Sequence, residues 1–220
     1  MKDSDQVSQG VTLILASGSP RRREIIRALD MPVELLRPDG DEDSPRRGEE
    51  PEEYVLRLSL DKARQTSNQS ENTVVIGADT AVVLNDEILG KPVDDAEATA
   101  MLQRLRGVGH TVLTGVTVFD SRTGQWTSSV KGTDVLMRHY SDMEIAAYVK
   151  TGGPLDKAGG YAIQDEGFRP TSSIQGCYLN VVGFPLCEVV RLLDELCVHA
   201  TLKPDWQTPE QCRDCALRKI

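Results

Sequence analysis

The residues most able to do chemistry fall in a few short stretches. The first is Ser17-Gly18-Ser19-Pro20-Arg21-Arg22-Arg23, which follows the apolar run Thr12 to Ala16. A strand that runs through a small-residue loop into a helix start leaves backbone N–H groups unpaired, and the helix dipole adds positive charge there. That is the form of an anion site. Three arginines just inside a helix start oppose the helix's own dipole, and a bound anion removes the conflict. A solvated basic face accounts for the same run. Because consecutive helical residues point apart, at most two of the three arginines reach one ligand.

The second stretch is Gly77-Ala78-Asp79-Thr80, where a carboxylate ends the apolar run Val74 to Ala78. A buried carboxylate is costly unless it is paired, bound to metal or catalytic, although a turn-forming aspartate gives the same pattern. Gly90-Lys91-Pro92 follows soon after, and Lys62 continues the helical row of Val55 and Leu58, where a lysine either snorkels to water or reaches into a site. The last stretch, Leu155 to Gln164, carries Asp156 and Lys157 ahead of small residues that let backbone and ligand approach closely. Gln164 donates and accepts as reading a base edge requires, and is also an ordinary turn residue. Together these groups suggest a hydrolase of a phosphorylated small molecule that uses a divalent metal.

The composition limits the partners. The chain has 220 residues and a net charge of -9, with 34 acidic and 25 basic side chains, which disfavours a nucleic-acid polymer or an anionic membrane. No apolar run approaches the roughly 18 residues that span a bilayer, and the polar start, Met1 to Gly10, does not resemble a secretory signal. A cytoplasmic protein is expected. Five cysteines, at 177, 187, 197, 212 and 215, make an odd count that fits a reducing compartment. The pair Cys212 and Cys215 stands alone near the end, where an exposed tail is the simpler reading than zinc or redox chemistry.

The elements that must position these residues alternate between strand and helix, the pattern of one α/β domain. Strands are predicted over Thr12 to Ala16, Thr73 to Asp79, Ala81 to Leu84, Glu87 to Leu89, Val112 to Phe119, Trp126 to Met137 and Ile174 to Val182. Asn85-Asp86 is a candidate two-residue hairpin. Ser19 with Pro20, Asp94 with Glu97 and Ser141 with Glu144 mark helix starts. Another helix covers Pro51 to Gln65, and a last one starts near Pro185 with Leu186, Val189, Val190, Leu193 and Cys197 on one apolar face. The stretch from Pro38 to Pro51 reads as a mobile charged loop. Residues 1–10 are expected to be disordered, 11–200 to form the domain, and 201–220 to be a polar, fraying tail.

At these residues the chain resembles the Maf family of nucleoside triphosphate pyrophosphatases, first named as septum-formation proteins. The resemblance runs from about Val11 to Leu193 through LASGSPRRREI, YVLRLSLDKA, VIGADTAVV, LGKP, GHTVLTGV, PLDKAGGYAIQ and NVVGFPL. It implies an α/β fold of the Maf/ITPase-like kind, a mixed sheet flanked by helices, with two lobes around a central cleft. It also implies hydrolysis of a nucleoside triphosphate to the monophosphate and pyrophosphate. The cofactor would be a divalent cation, magnesium first, with manganese or cobalt as alternatives, and a homodimer is compatible with it.

Residue by residue, the resemblance makes Asp79 the proton acceptor and a metal ligand, with Glu42 as a second acidic residue supporting metal or water. Lys62 and Lys91 would face the triphosphate. Ser17, Ser19 and Arg22 belong to the phosphate loop, Arg21, Thr80 and Gln164 to substrate choice, and Asp156 and Lys157 to the cleft wall. The DKAGGYAIQ segment resembles the branch that acts on dTTP and UTP, with the 7-methyl-GTP branch as the alternative. Gly153 stands where an acidic residue is usual and Asp165 where glycine is common. A house-cleaning role in the nucleotide pool follows from the resemblance, with a link to cell-division arrest, and a non-catalytic regulator of septum formation is the contrasting reading.

Overall fold

Apolar runs separated by capping residues give the chain its element order. The computed structural model describes residues 11–38, 43–67 and 72–212. The strands are β1 (Thr12–Ala16), β2 (Val33–Leu36), β3 (Thr73–Leu84), β4 (Glu87–Leu89), β5 (Gly109–Asp120), β6 (Trp126–Met137) and β7 (Thr171–Gln175). The α-helices are α1 (Pro20–Ile26), α2 (Pro51–Ser67), α3 (Asp95–Leu105), α4 (Asp142–Val149), α5 (Tyr178–Val182) and α6 (Leu186–Glu195). The strands make one seven-stranded mixed sheet in the order β2-β1-β3-β5-β6-β7, with β4 also on β3. The expected α/β sheet flanked by helices is the one observed.

Local chemistry places the helix starts. Ser19 caps α1 ahead of Pro20, Asp94 caps α3, and Ser141 with Glu144 forms a full capping box on α4. At the β3–β4 turn both Asn85 and Asp86 have positive φ, which a two-residue hairpin of the primed type requires.

The sheet is built around β3. Its first half pairs in parallel with β1, ending at Ala16 against Gly77, and β4 takes the same edge from Val82 onward. The other edge is covered by β5 from Val74 to Val83. Between Gly77 and Val82 one edge of β3 therefore has no strand beside it among the described residues. The apolar core divides at the same level. One cluster joins β1, α1, α5, α6 and the first half of β3, and a second joins the end of β3 to α3, α4, Tyr161 and Phe168. The two lobes meet across the open edge.

Several expectations need correction. Residues 73–84 form one continuous strand, so Asp79 sits inside β3 and not at a strand end. The run Ile174 to Val182 is not one strand: Gly176, at φ 131°, ends β7, and residues 178–182 form α5, closed by the left-handed Gly183. Cys197 lies past the end of α6 and is exposed, while Leu192 completes the buried face. The polar stretch after His199 is tied down as far as residue 212. Asp30 N donates to Thr201 O and Lys203 N to Ala28 O, each at 2.8 Å, and Cys212 is buried. Cys215 lies outside the described residues.

Candidate active site

The cleft opens at the gap in the sheet edge and has a volume of about 630 Å³. Side chains alternate across a strand, so Asp79 and Thr80 face opposite sides of the sheet, and both line the cleft at the open edge of β3. Every residue expected in the site lines it except Glu42, which lies outside the described residues.

Asp79 is 5% exposed. Its Oδ1 accepts a 2.5 Å hydrogen bond from Lys62 Nζ on α2. Two glycines make that approach possible. A Cβ on Gly77 would lie 2.0 Å from Ser59 O, and one on Gly115, the β5 partner of Asp79, 2.4 Å from Val55 O. The α2 backbone thus rests directly on β3 and β5, and Lys62, which buries its stem below Leu58, ends on the carboxylate and not in water.

The Ser17–Pro20 loop forms one wall. Ser19 N donates to Ser17 Oγ at 3.1 Å, and Arg22 N to Ser19 Oγ at 3.5 Å. Both hydroxyl oxygens act as acceptors here, leaving their protons to donate to a ligand. Arg21 Nη1 stands 3.8 Å from Asp156 Oδ2 across the cleft. Arg22 turns inward: Nε donates to Gly183 O (2.8 Å), Nη1 to Ala78 O (2.7 Å) and Nη2 to Thr80 Oγ1 (2.9 Å).

The opposite wall comes from the turn after α4. Gly159, at φ 68°, donates its N–H to Gly90 O at 2.9 Å, which sets the Asp156–Gly160 turn beside Lys91. Lys157 bridges Gly153 O and the Asp156 carboxylate. Burial works against the charged form of Asp156, but the hydrogen bond and charge of Lys157, with the charge of Arg21, hold its pKa below the ordinary value. Tyr161 is buried with its hydroxyl 2.6 Å from His110 Nε2, and Ala162 N donates to Tyr148 at 3.2 Å, which fixes the segment leading to Gln164.

Sequence reasoning missed four lining residues: Arg37, Asp43, Asp61 and Gln65. Asp61 and Gln65 continue the helical row of Leu58, so their spacing carried the signal. Arg37 sits after β2 with its side chain over Gly18, a juxtaposition made only by the fold. The loop expected to be mobile is held over its described part. Arg57 grips Glu49 with two bonds, Nε to Oε1 at 2.6 Å and Nη2 to Oε2 at 2.8 Å, and reaches Asp43 at 3.4 Å.

Among the described residues, six cationic side chains line the cleft (Arg21, Arg22, Arg37, Lys62, Lys91 and Lys157) against four aspartates. In a chain of net charge -9 that is a local reversal of sign, suited to a polyanion. Among the described residues no three His, Cys, Asp or Glu side chains stand close enough to hold a metal ion by themselves. Magnesium does not require such a cage, because it commonly binds one or two carboxylates together with waters and substrate phosphates. Asp79, in a cleft with room for a triphosphate, fits that mode.

Residues 12–196 match the family described as Maf-like protein. The dTTP/UTP pyrophosphatase of Geotalea uraniireducens is 47% identical over 182 residues, 82% of this chain and 93% of that protein. That of Dehalococcoides mccartyi (strain BAV1) is 39% identical over 205 residues, 93% and 91% of the two chains. Among solved structures, a nucleoside-triphosphatase / dITP/XTP pyrophosphatase from Mycobacterium abscessus is 15% identical at a TM-score of 0.38, covering 58% of this chain and 74% of its own, a likeness too slight to carry argument. With the family match spanning the sheet and every wall of the cleft, this chain belongs to the Maf family.

Proposed function

We propose that the enzyme hydrolyses dTTP and UTP to the nucleoside monophosphate and pyrophosphate. The observation that carries this is the buried Asp79 carboxylate, held by Lys62 where β3 opens into a cationic cleft. Relatives named for this activity, at 39% to 47% identity, support the choice of bases.

In this reading Asp79 takes a proton from water as the water oxygen bonds to the α-phosphorus, and the bond from that phosphorus to the bridging oxygen breaks. Lys62 Nζ engages one Asp79 oxygen and leaves the other to receive the proton. Lys62, Lys91 and Arg21 offset the charge that develops on departing pyrophosphate. The Ser17 and Ser19 hydroxyls hold phosphate oxygens. Gln164 and Thr80 face the base and sugar. A divalent cation held by Asp79, with Glu42 as the second carboxylate the resemblance implies, would neutralise phosphate charge and polarise the α-phosphate. Magnesium as that cation, a cytoplasmic location and a homodimer complete the reading, as does a role in clearing the nucleotide pool.

The test is a panel of nucleotides incubated with magnesium, 7-methyl-GTP included, that resolves monophosphate and pyrophosphate from diphosphate and orthophosphate. UMP and pyrophosphate from UTP are expected. Faster turnover of 7-methyl-GTP would overturn the base assignment, and orthophosphate release would overturn the bond.

A further inference from the structure

The open edge of β3 leaves a problem that the catalytic reading does not address. Ala78 to Ala81 have β5 on one side and, between the end of β1 at Gly77 and the start of β4 at Val82, no strand on the other among the described residues. Unpaired strand-edge groups are free to shift or to pair elsewhere. Yet Asp79 sits in this segment, and a general base has to be held within hydrogen-bond reach of its proton.

We propose that Arg22 is a positioning residue that takes the place of the missing strand and so fixes Asp79, and that this, rather than contact with phosphate, is its main task. The inference rests on the reading of Asp79 as the base. Arg22 holds the two residues that flank Asp79: Nη1 binds Ala78 O and Nη2 binds Thr80 Oγ1. Its Nε binds Gly183 O, the residue that closes α5. Thr80 Oγ1 in turn lies 3.0 Å from Thr114 Oγ1 on β5. One planar group therefore ties β3, β5 and the α5 terminus together.

The neighbouring sequence is shaped to admit it. Gly183 has φ 106°, and a Cβ there would stand 3.2 Å from Thr80 Oγ1. Arg21, one residue earlier, points instead across the cleft to Asp156. The two consecutive arginines thus divide the work, one facing the ligand space and one facing the sheet.

Lysine separates positioning from charge, because it delivers the same charge on a flexible stem but cannot make three directed bonds in one plane. The experiment measures kcat, KM for UTP and hydrogen exchange in Arg22→Lys and Arg22→Met. Positioning predicts that both lose about a hundredfold in kcat, the cost of a small misplacement, with KM held within about threefold. It also predicts that peptides over 77–82 and 181–185 exchange about tenfold faster or more while α3 keeps its protection. Thr80→Val, which removes the acceptor of Arg22 Nη2 together with the hydroxyl's link to Thr114, should lower kcat and speed exchange at 77–82, and Thr80→Ser should restore both. This pair carries the test if an Arg22 variant fails to fold. Native kcat in Arg22→Lys, a rise in KM at native kcat, or unchanged exchange would overturn the proposal. Absence of turnover in the unaltered enzyme would remove the reading of Asp79 instead, and the exchange data would still decide what Arg22 does.

Discussion

Asp79 and Lys62 form the chemical centre of the cleft, and single substitutions separate their tasks. Asp79→Asn keeps the side-chain shape and an oxygen acceptor for Lys62 but removes the proton acceptor, so kcat should fall by about a thousandfold, within the range for loss of a general base. The melting temperature should stay near that of the unaltered protein. Lys62→Met keeps the apolar stem and removes the charge, and should cost about a hundredfold in kcat, as loss of one electrostatic partner of the transition state does. Steady-state rates with UTP check both. Each residue was legible in sequence for a physical reason: a carboxylate interrupting an apolar run, and a lysine continuing a buried helical row. The division between Arg21 and Arg22 was not, because adjacent helical residues differ only in direction, and the acceptors that settle the direction, Ala78 O and Gly183 O, are brought there by distant parts of the chain.

The contact of α2 with the sheet turns these residues into a site. Gly77 and Gly115 let the helix backbone lie on β3 and β5, so Gly77→Ala, whose methyl would meet Ser59 O at 2.0 Å, forces the helix away. Overpacking of this kind costs about 1–3 kcal/mol, and it should lower kcat beyond the loss of folded protein because Lys62 leaves Asp79. Thermal melting and rate measured on the same sample check this. Strand and helix starts were largely readable, since caps and turn residues act over a few neighbours. The segment 174–182 misled because a short apolar run fits either period, and what decided it was the backbone at Gly176 and Gly183 together with Asn180, whose buried amide donates to Val112 O and Thr133 Oγ1. Asn85-Asp86 was read correctly since the turn chemistry is entirely local.

The protein's stability also depends on two titratable groups that lie outside the lining of the cleft. Burial lowers the pKa of His110, beside Tyr161, to about 4 from an ordinary 6.5. The unfolded chain therefore binds a proton that the folded one refuses as pH falls from 6.5 towards 4, and stability is lost across that window. The hydrogen bonds from Arg57 lower the pKa of Glu49 to about 2 from 4.5, so its contribution is present above 4.5 and is lost as pH falls towards 2. Melting temperature against pH should decline in both ranges. His110→Gln should flatten the upper decline and Glu49→Gln the lower, and an unchanged profile in either variant would contradict the assignment. The polar composition of residues 201–212 concealed their docking, because it is backbone pairing with Ala28, Leu29 and Asp30 that holds them. The most direct test of the whole account is hydrolysis of UTP in water enriched in heavy oxygen, with the label traced by mass spectrometry and Asp79→Asn run alongside. Attack at the α-phosphorus predicts label in UMP, none in pyrophosphate, and about a thousandfold slower labelling of UMP by the variant. Label in pyrophosphate or orthophosphate, or native labelling of UMP by Asp79→Asn, would contradict it.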